Sequence, residues 1–260
     1  MTMIPFQYGM RRYSSRGSNA SKSRPSPKFN SSEVRESIRI SIFDLDRTLT
    51  KRPTYSLFLI HAAWRIAPWR IILIPLLLPY AIGYFLKFLS RKRMKEAMHM
   101  LMLGRHLDSE SVRDIAEAFA DRVSSGGFFP AAVSRIRKEA HSGRRIIIAT
   151  AAPVFYATSI ARRLEIKDVV GTLGTWRKNQ LCPEISGENC HGAEKRRQVA
   201  NFLSKTGIAR DHMHVRFFSD DMSDLPTFEW ADEAIAVNPS AGLLRLAQQR
   251  EWKILDWRTA

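Results

Sequence analysis

Two aspartates, Asp44 and Asp46, stand two residues apart where an apolar run ends, in the stretch SIFDLDRTLT over 41–50. A buried carboxylate without a partner is costly, and two side by side need a cation or a proton. Asp220, Asp221 and Asp224, in FFSDDMSD, follow a second apolar run. Oxygen ligands grouped in this way suit a hard divalent cation, and the pattern reads as a magnesium site. Either cluster alone would serve equally well as a helix cap or a turn. Two more positions extend the pattern. Thr150 closes the run RIIIAT with a hydroxyl, and Lys195 follows ENCHG near the first turns of a helix. Alone, Thr150 reads as a helix cap and Lys195 as a solvated surface lysine. Together with a metal ion and backbone N–H groups they make an anion site of phosphate size.

The elements that must carry these residues are apolar strands alternating with helical patterns. Strands are expected over 38–43, 145–149, 215–219 and 233–237, with 252–257 closing the sheet. Helices are expected over 154–164, 193–203, 224–230 and 241–249. This alternation predicts an α/β fold, a Rossmann-like core with a mainly parallel sheet. In such a sheet ligands bind at the carboxyl ends of the strands, where Asp44, Thr150 and Asp220 fall. The stretch 171–187 breaks the rhythm and reads as a hairpin. The interval 51–126 is apolar, basic and helical, and reads as a cap inserted after the first strand. The core is then 38–50 with 127–260.

The order DxD, hydroxyl, lysine, DDxxD resembles the haloacid dehalogenase-like phosphatase superfamily over roughly 38–257, in its phosphoserine-phosphatase-like subgroup. FDLDRT resembles its first motif, IIIATA its second, Lys195 its third and SDDMSDLP its fourth. The resemblance implies an aspartyl-phosphate mechanism, with Asp44 as nucleophile and Asp46 as general acid. It implies Mg²⁺ held by Asp44, Asp46 (through its backbone carbonyl) and Asp220, with Asp224 in support. It implies phosphoryl oxygens bound by Thr150, Ala151 and Lys195. A carboxylate attacks an anionic phosphate only once charge is neutralised, the main task in phosphoryl transfer. One departure stands out: the family commonly has glycine after the DxD, and here the residue is Arg47.

Charge and hydropathy bear on the substrate. The net charge is +16. Seven basic residues face two acidic ones in 1–37, and ten face one in 51–105. A basic front end implies an anionic partner. The tail 1–37 is rich in Ser, Arg, Lys and Pro and is expected to be disordered; an organellar transit peptide and a mis-assigned start codon are the alternatives. It has no secretory apolar region. Cys182 and Cys190 make no disulfide framework and suit a reducing compartment. Cys190 with His191 is a poor match to zinc spacing. Within the cap, 71–86 carries no charge over sixteen residues. As a helix it would span ~24 Å, short of the ~30 Å hydrocarbon core. Pro75 and Pro79 interrupt it, and basic residues flank both ends. That suits an interfacial or re-entrant hairpin on an anionic leaflet, with Trp64 and Trp69 as anchors. The pattern resembles, in composition, the phosphatidylglycerophosphatase type C branch. The expected substrate is a lipid phosphomonoester at the cytoplasmic face of a membrane. A cytoplasmic phosphatase of a soluble metabolite such as phosphoserine, with an ordinary apolar cap, is the alternative. A third reading is a non-enzymatic membrane- or nucleic-acid-binding protein on the same scaffold. No nucleic-acid motif is present, and no specific nucleic-acid partner is expected.

Overall fold

The structure, a computed structural model, describes residues 37–259. The expected disordered tail therefore lies outside the described residues, except for Ser37. The chain opens with β1 (Ile38–Phe43). Helix α1 (Thr54–Ile66), a 3-10 helix (Pro68–Leu77), α2 (Leu78–Phe85) and α3 (Arg91–Met102) follow. Next come the two-residue β2 (Leu107–Asp108), α4 (Ser109–Ser124) and α5 (Pro130–His141). The second half runs β3 (Arg145–Pro153), α6 (Val154–Arg162), β4 (Asp168–Arg177), β5 (Gln180–Ser186) and α7 (Ala193–Ser204). It ends with β6 (Met213–Ser219), α8 (Leu225–Phe228), β7 (Glu233–Val237), α9 (Ala241–Gln249) and β8 (Lys253–Leu255).

Among the described residues the sheet has eight strands, in the order β2-β5-β4-β3-β1-β6-β7-β8. The six from β4 to β8 are parallel, and β5 and β2 extend them antiparallel. The fold is α/β with a mostly parallel sheet, as expected. Register places Ile42 beside both Ile147 and Phe217, so the three strands that end in functional residues are neighbours. The chain leaves β1 toward β3 and later toward β6, which makes the end of β1 the switch point of the sheet. Both faces of the sheet are covered, as parallel sheets require. Ile40, Ile42 and Phe217 point into one layer; Phe43, Ile148 and Phe218 point into the other.

The segment 51–126 does not stand apart from this core. One face of α1 buries Phe58, Leu59, Ala62 and Ala63, spaced for a helix stripe. Phe58 stacks on Tyr156 of α6 at 4.2 Å, and Phe119 of α4 meets both rings edge-on. The segment is also not wholly helical, because β2 pairs with β5 and joins the sheet. The single helix expected over 71–86 is replaced by a 3-10 helix and then α2. Pro75 and Pro79 lack the N–H that an α-helix needs; Leu78 instead donates to the Pro75 carbonyl, and Pro79 sits in the first turn of α2. Neither piece buries a residue. Pro68–Phe85 is long and apolar enough, by length and composition alone, to cross a bilayer, with mean hydropathy 1.4. The helix expected over 224–230 is a single turn, α8, preceded by a 3-10 turn at Met222–Asp224. The expected 171–187 hairpin is β4–β5, so Cys182 lies on a strand; it and Cys190 are buried free thiols.

Candidate active site

Asp44 and Asp46 lie just past the end of β1. The backbone N–H of Asp44 donates to Phe218 O at 2.8 Å, which holds the turn against β6. The Asp46 carboxylate then meets the start of α1. Both the N–H and the hydroxyl of Thr54 donate to Asp46 Oδ1, each at 2.7 Å. No side chain of Pro53 caps α1, so the Asp46 carboxylate satisfies one of the first orphan N–H groups of that helix. The Thr54 hydroxyl has one proton, and it goes to Asp46. The 3.0 Å contact with Tyr156 Oη is therefore donated by the tyrosine. The relay Tyr156–Thr54–Asp46 fixes one carboxylate oxygen and leaves Oδ2 for other work. Burial pushes the Asp46 carboxyl up, and the Thr54 hydrogen bonds oppose that rise.

Lys195 sits in the first turn of α7, behind Gly192, whose φ of 62° favours glycine. The lysine is buried to 2% exposure. Its Nζ donates to Asp44 Oδ1 at 2.8 Å and to Asp224 Oδ2 at 2.6 Å. Burial alone would lower its pKa, but Asp224 and Asp44 outweigh that and hold it charged. Ser219 also donates to Asp224 Oδ2, at 2.6 Å. The acidic run divides its work. Asp221 caps the 3-10 turn by accepting from the Ser223 N–H at 2.7 Å, while Asp220 and Asp224 turn inward. Thr48 donates to Asp220 Oδ1 at 3.3 Å.

Thr150 and Ala151 come from a bulge in β3 between Thr150 and Pro153. Gly171 makes room for it: a Cβ there would lie 2.8 Å from the Ala152 carbonyl oxygen. The Thr150 hydroxyl accepts from the Ala152 N–H at 3.0 Å, which leaves its proton for a ligand. Asp44, Asp46, Thr150, Ala151, Lys195, Asp220 and Asp224 all line one cavity of about 170 Å³. Every site residue named from sequence meets there.

Residues not named as site residues from sequence also line or adjoin it. Arg47 has φ of 62°, the left-handed conformation in which glycine costs least. Its carbonyl accepts from Asn238 Nδ2 at 3.1 Å, which anchors the turn, and it lines the cavity. Arg91 of α3 stands at the mouth, donating to Tyr84 Oη at 3.2 Å and to His191 Nδ1 at 3.2 Å. Burial and Arg91 hold His191 down, at about 4, so it is the neutral acceptor. Lys95 lies beside the cavity and donates to Ala151 O and Asn189 Oδ1, each at 2.6 Å. Burial lowers it to about 8. Lys51 and Arg52, close after the DxD in sequence, do not line this cavity; both line a separate one. Cys190 is fully buried, and burial pushes its thiol up to about 12.

The carboxylates at this junction outnumber Lys195, the cation that two of them share. Burial pushes Asp44 up, with Asp224, Asp220 and Asp46 adding to the rise against Lys195. Burial and Asp221 bring Asp220 up to about 7. Asp224 Oδ1 is buried with no partner among the described residues. Among those residues no three acidic, histidine or cysteine groups converge on one point. Asp224 Oδ2 and Asp46 Oδ1 are already engaged. The oxygens left for a hard cation are those of Asp44 and Asp220 together with Asp224 Oδ1, an all-oxygen set that fits Mg²⁺.

A haloacid dehalogenase-like hydrolase family model matches residues 42–229. The chain belongs to the haloacid dehalogenase-like hydrolase family. A solved protein of unknown function from Bordetella pertussis Tohama I is similar at 25% identity and TM-score 0.75, covering 85% of this chain and 99% of its own. A phosphoserine phosphatase solved as a phospho-aspartyl intermediate analogue shares the fold, at TM-score 0.56 and 14% identity over 85% of this chain and 94% of its own. Phosphoserine phosphatase SerB1 of Mycobacterium tuberculosis is 31% identical over 119 residues, 46% of this chain and 38% of SerB1. The chain spans less than half the length of the first curated relatives it matches.

Proposed function

We propose that this hydrolase is a Mg²⁺-dependent phosphomonoesterase acting through an aspartyl-phosphate on Asp44, with a lipid phosphate as substrate at a membrane surface. The observation that carries the chemistry is the junction of Asp44, Lys195 and Asp224 in a cavity that also holds Thr150 and Ala151. Lys195, the Thr150 hydroxyl and the Ala151 N–H bind the phosphoryl oxygens. Asp44 attacks phosphorus while Asp46, whose protonated form burial favours, gives its proton to the leaving alkoxide. Asp46, then ionised, takes a proton from the water that hydrolyses the aspartyl-phosphate. Asp44, Asp220 and the Asp46 carbonyl would hold Mg²⁺, with Asp224 in support, and the ion would neutralise phosphoryl charge.

In this reading 51–126 is the cap that receives the leaving group. Beyond Asp46 a cleft is lined by Tyr55, Tyr84, Met94 and Met98 with Arg91 and Lys95. It has an apolar wall and two cations, and its only acid is Asp46, which Thr54 holds. That suits an anionic or neutral glyceryl group better than the ammonium of an amino acid. The exposed apolar stretch 68–88 supports contact with a membrane surface. A second reading, phosphoserine hydrolysis, is favoured by the name of the relative SerB1. Phosphate release with Mg²⁺ in detergent micelles tests both, comparing phosphatidylglycerophosphate, phosphatidate, lysophosphatidate and phosphoserine by kcat/KM. We expect a lipid phosphate to lead by roughly tenfold or more, and Asp44→Asn to lose about 10³-fold or more. A lead for phosphoserine would overturn the lipid assignment and leave the chemistry. Full activity of Asp44→Asn would overturn the chemistry.

A further inference from the structure

A cavity of about 580 Å³ lies between α1 and α4, within the roughly 300–1,000 Å³ range of small-molecule sites. It shares no lining residue with the catalytic cavity; Thr54 lines this one and Pro53 lines the other. Its walls are Leu57, Ile60 and Trp64 on the α1 face turned from the core, with Phe119 and Val123 of α4. Leu57, Ile60 and Trp64 are exposed large apolar side chains, and their spacing puts them in one helical row. Around these walls stand Lys51, Arg52 and Arg122, and no acidic residue lines the cavity. Among the described residues none of the three cations is paired with a carboxylate. His61 also lines the cavity, and its Nε2 is buried without a partner among the described residues.

We propose that this cavity binds a monoacyl anionic amphiphile, a fatty-acid-like molecule. Its chain lies against Leu57, Ile60, Trp64 and Phe119, and its head meets Lys51, Arg52 and Arg122. The walls are the apolar majority of a ligand site and the cations its few orienting polar groups. Three like charges around one apolar concavity repel one another, and an anionic head removes that repulsion. Inorganic phosphate alone would leave the apolar walls wet. A cationic or zwitterionic amphiphile would meet uncompensated positive charge. Thr54, which holds Asp46, also lines this cavity, but the proposed contacts to chain and head use none of the residues assigned to phosphate, metal or proton transfer.

Isothermal titration of the full chain with laurate, below its micelle concentration, tests the proposal. Dodecyltrimethylammonium is the opposite-charge arm and dodecanol the neutral one. We expect laurate to bind one to one, roughly tenfold or more tighter than either other amphiphile. The double variant Arg52→Glu/Arg122→Glu should abolish or reverse that order. Ile60→Trp, which fills the cavity from its half-exposed wall, should weaken laurate by roughly tenfold while the head preference persists. Thermal melting of each variant checks that it remains folded. If either melts with the native transition lost, Lys51→Glu and Leu57→Trp replace it. No laurate binding, equal binding of the three amphiphiles, or laurate binding unchanged in the folded variants would overturn the proposal. The last result would put the amphiphile on the exposed apolar surface of 68–88.

Discussion

At the scale of the residue, the site works by giving each carboxylate a different neighbour. Asp44 faces Lys195, Asp224 is held by Lys195 and Ser219, Asp221 is spent on a cap, and Asp46 is tied to Thr54. Thr54 lowers the pKa that burial raises in Asp46, so in the proposed mechanism it positions the general acid and tunes it. Thr54→Val removes the hydroxyl bond and keeps the N–H bond. We expect the apparent pKa of the acid in the pH profile of kcat/KM to rise. kcat should fall by roughly tenfold with KM little changed, the loss of about one aligned hydrogen bond to a charged group. A parallel change in kcat and KM with no shift in the profile would count against this role. The acidic motifs were legible in sequence. The division of labour among their members was not, because it depends on which oxygen meets which donor.

At the scale of the element, α3 is the piece that ties the cap to the hairpin. His99 of α3 is buried and its Nδ1 donates to the Pro183 carbonyl of β5 at 3.0 Å. Its Nε2 has no partner among the described residues. A second proton would have nowhere to bond, and burial holds His99 down, at about 4. Protonation in the unfolded chain at the usual value near 6.5 then opposes folding. His99 contributes no penalty above about pH 6.5, and stability falls as pH drops from 6.5 toward 4. Integrated from pH 7 to 5, that loss is about 2 kcal/mol. Urea unfolding at those two pH values should show it, and His99→Gln should flatten the difference. An unchanged slope in that variant would remove His99 as the cause. Of the elements, the strands and α7 and α9 stood out by apolar runs and periodicity. Helix α5 did not, although Pro130 at its first turn with Ala132 and Ile136 on one face was a usable signal. Its role appears only in three dimensions: Glu139 accepts from Ser41 at 2.6 Å and Arg135 at 2.7 Å, and pairs with Arg144 at 3.2 Å.

At the scale of the molecule, the apolar surface is concentrated in one segment. Ile72 is 79% exposed, Phe85 85% and Phe88 83%. Monomeric soluble proteins rarely leave so contiguous an apolar stretch bare, and such patches mark interaction sites. Lys87, Arg91, Lys92 and Arg93 adjoin it in sequence. If this face meets an anionic bilayer, the chain should sediment with anionic vesicles, less so in high salt and little with neutral ones. Phe85→Asp/Phe88→Asp should weaken that partition by roughly tenfold or more, since two exposed aromatic side chains no longer leave water. Because both positions are solvent-exposed, melting should be nearly unchanged. Equal sedimentation of the variant would remove this face as the contact.

What the sequence determined by itself was the family, the mainly parallel sheet and the set of residues gathered at its strand ends. Carboxylates, hydroxyl and lysine at the ends of apolar runs need one shared place, and a parallel sheet gives them one; the order of the strands came only with the structure. Tertiary structure decided what depends on direction rather than type. It sent Lys51 and Arg52 away from the catalytic cavity and brought Arg91, His191 and Lys95 to it from distant positions. It turned the uncharged run of 71–86 into a 3-10 helix and a short α-helix, because two prolines withhold donors at the positions where a single helix needs them. Residue types carry charge and hydrogen-bonding capacity in one dimension; which groups meet is set only when helices and strands pack.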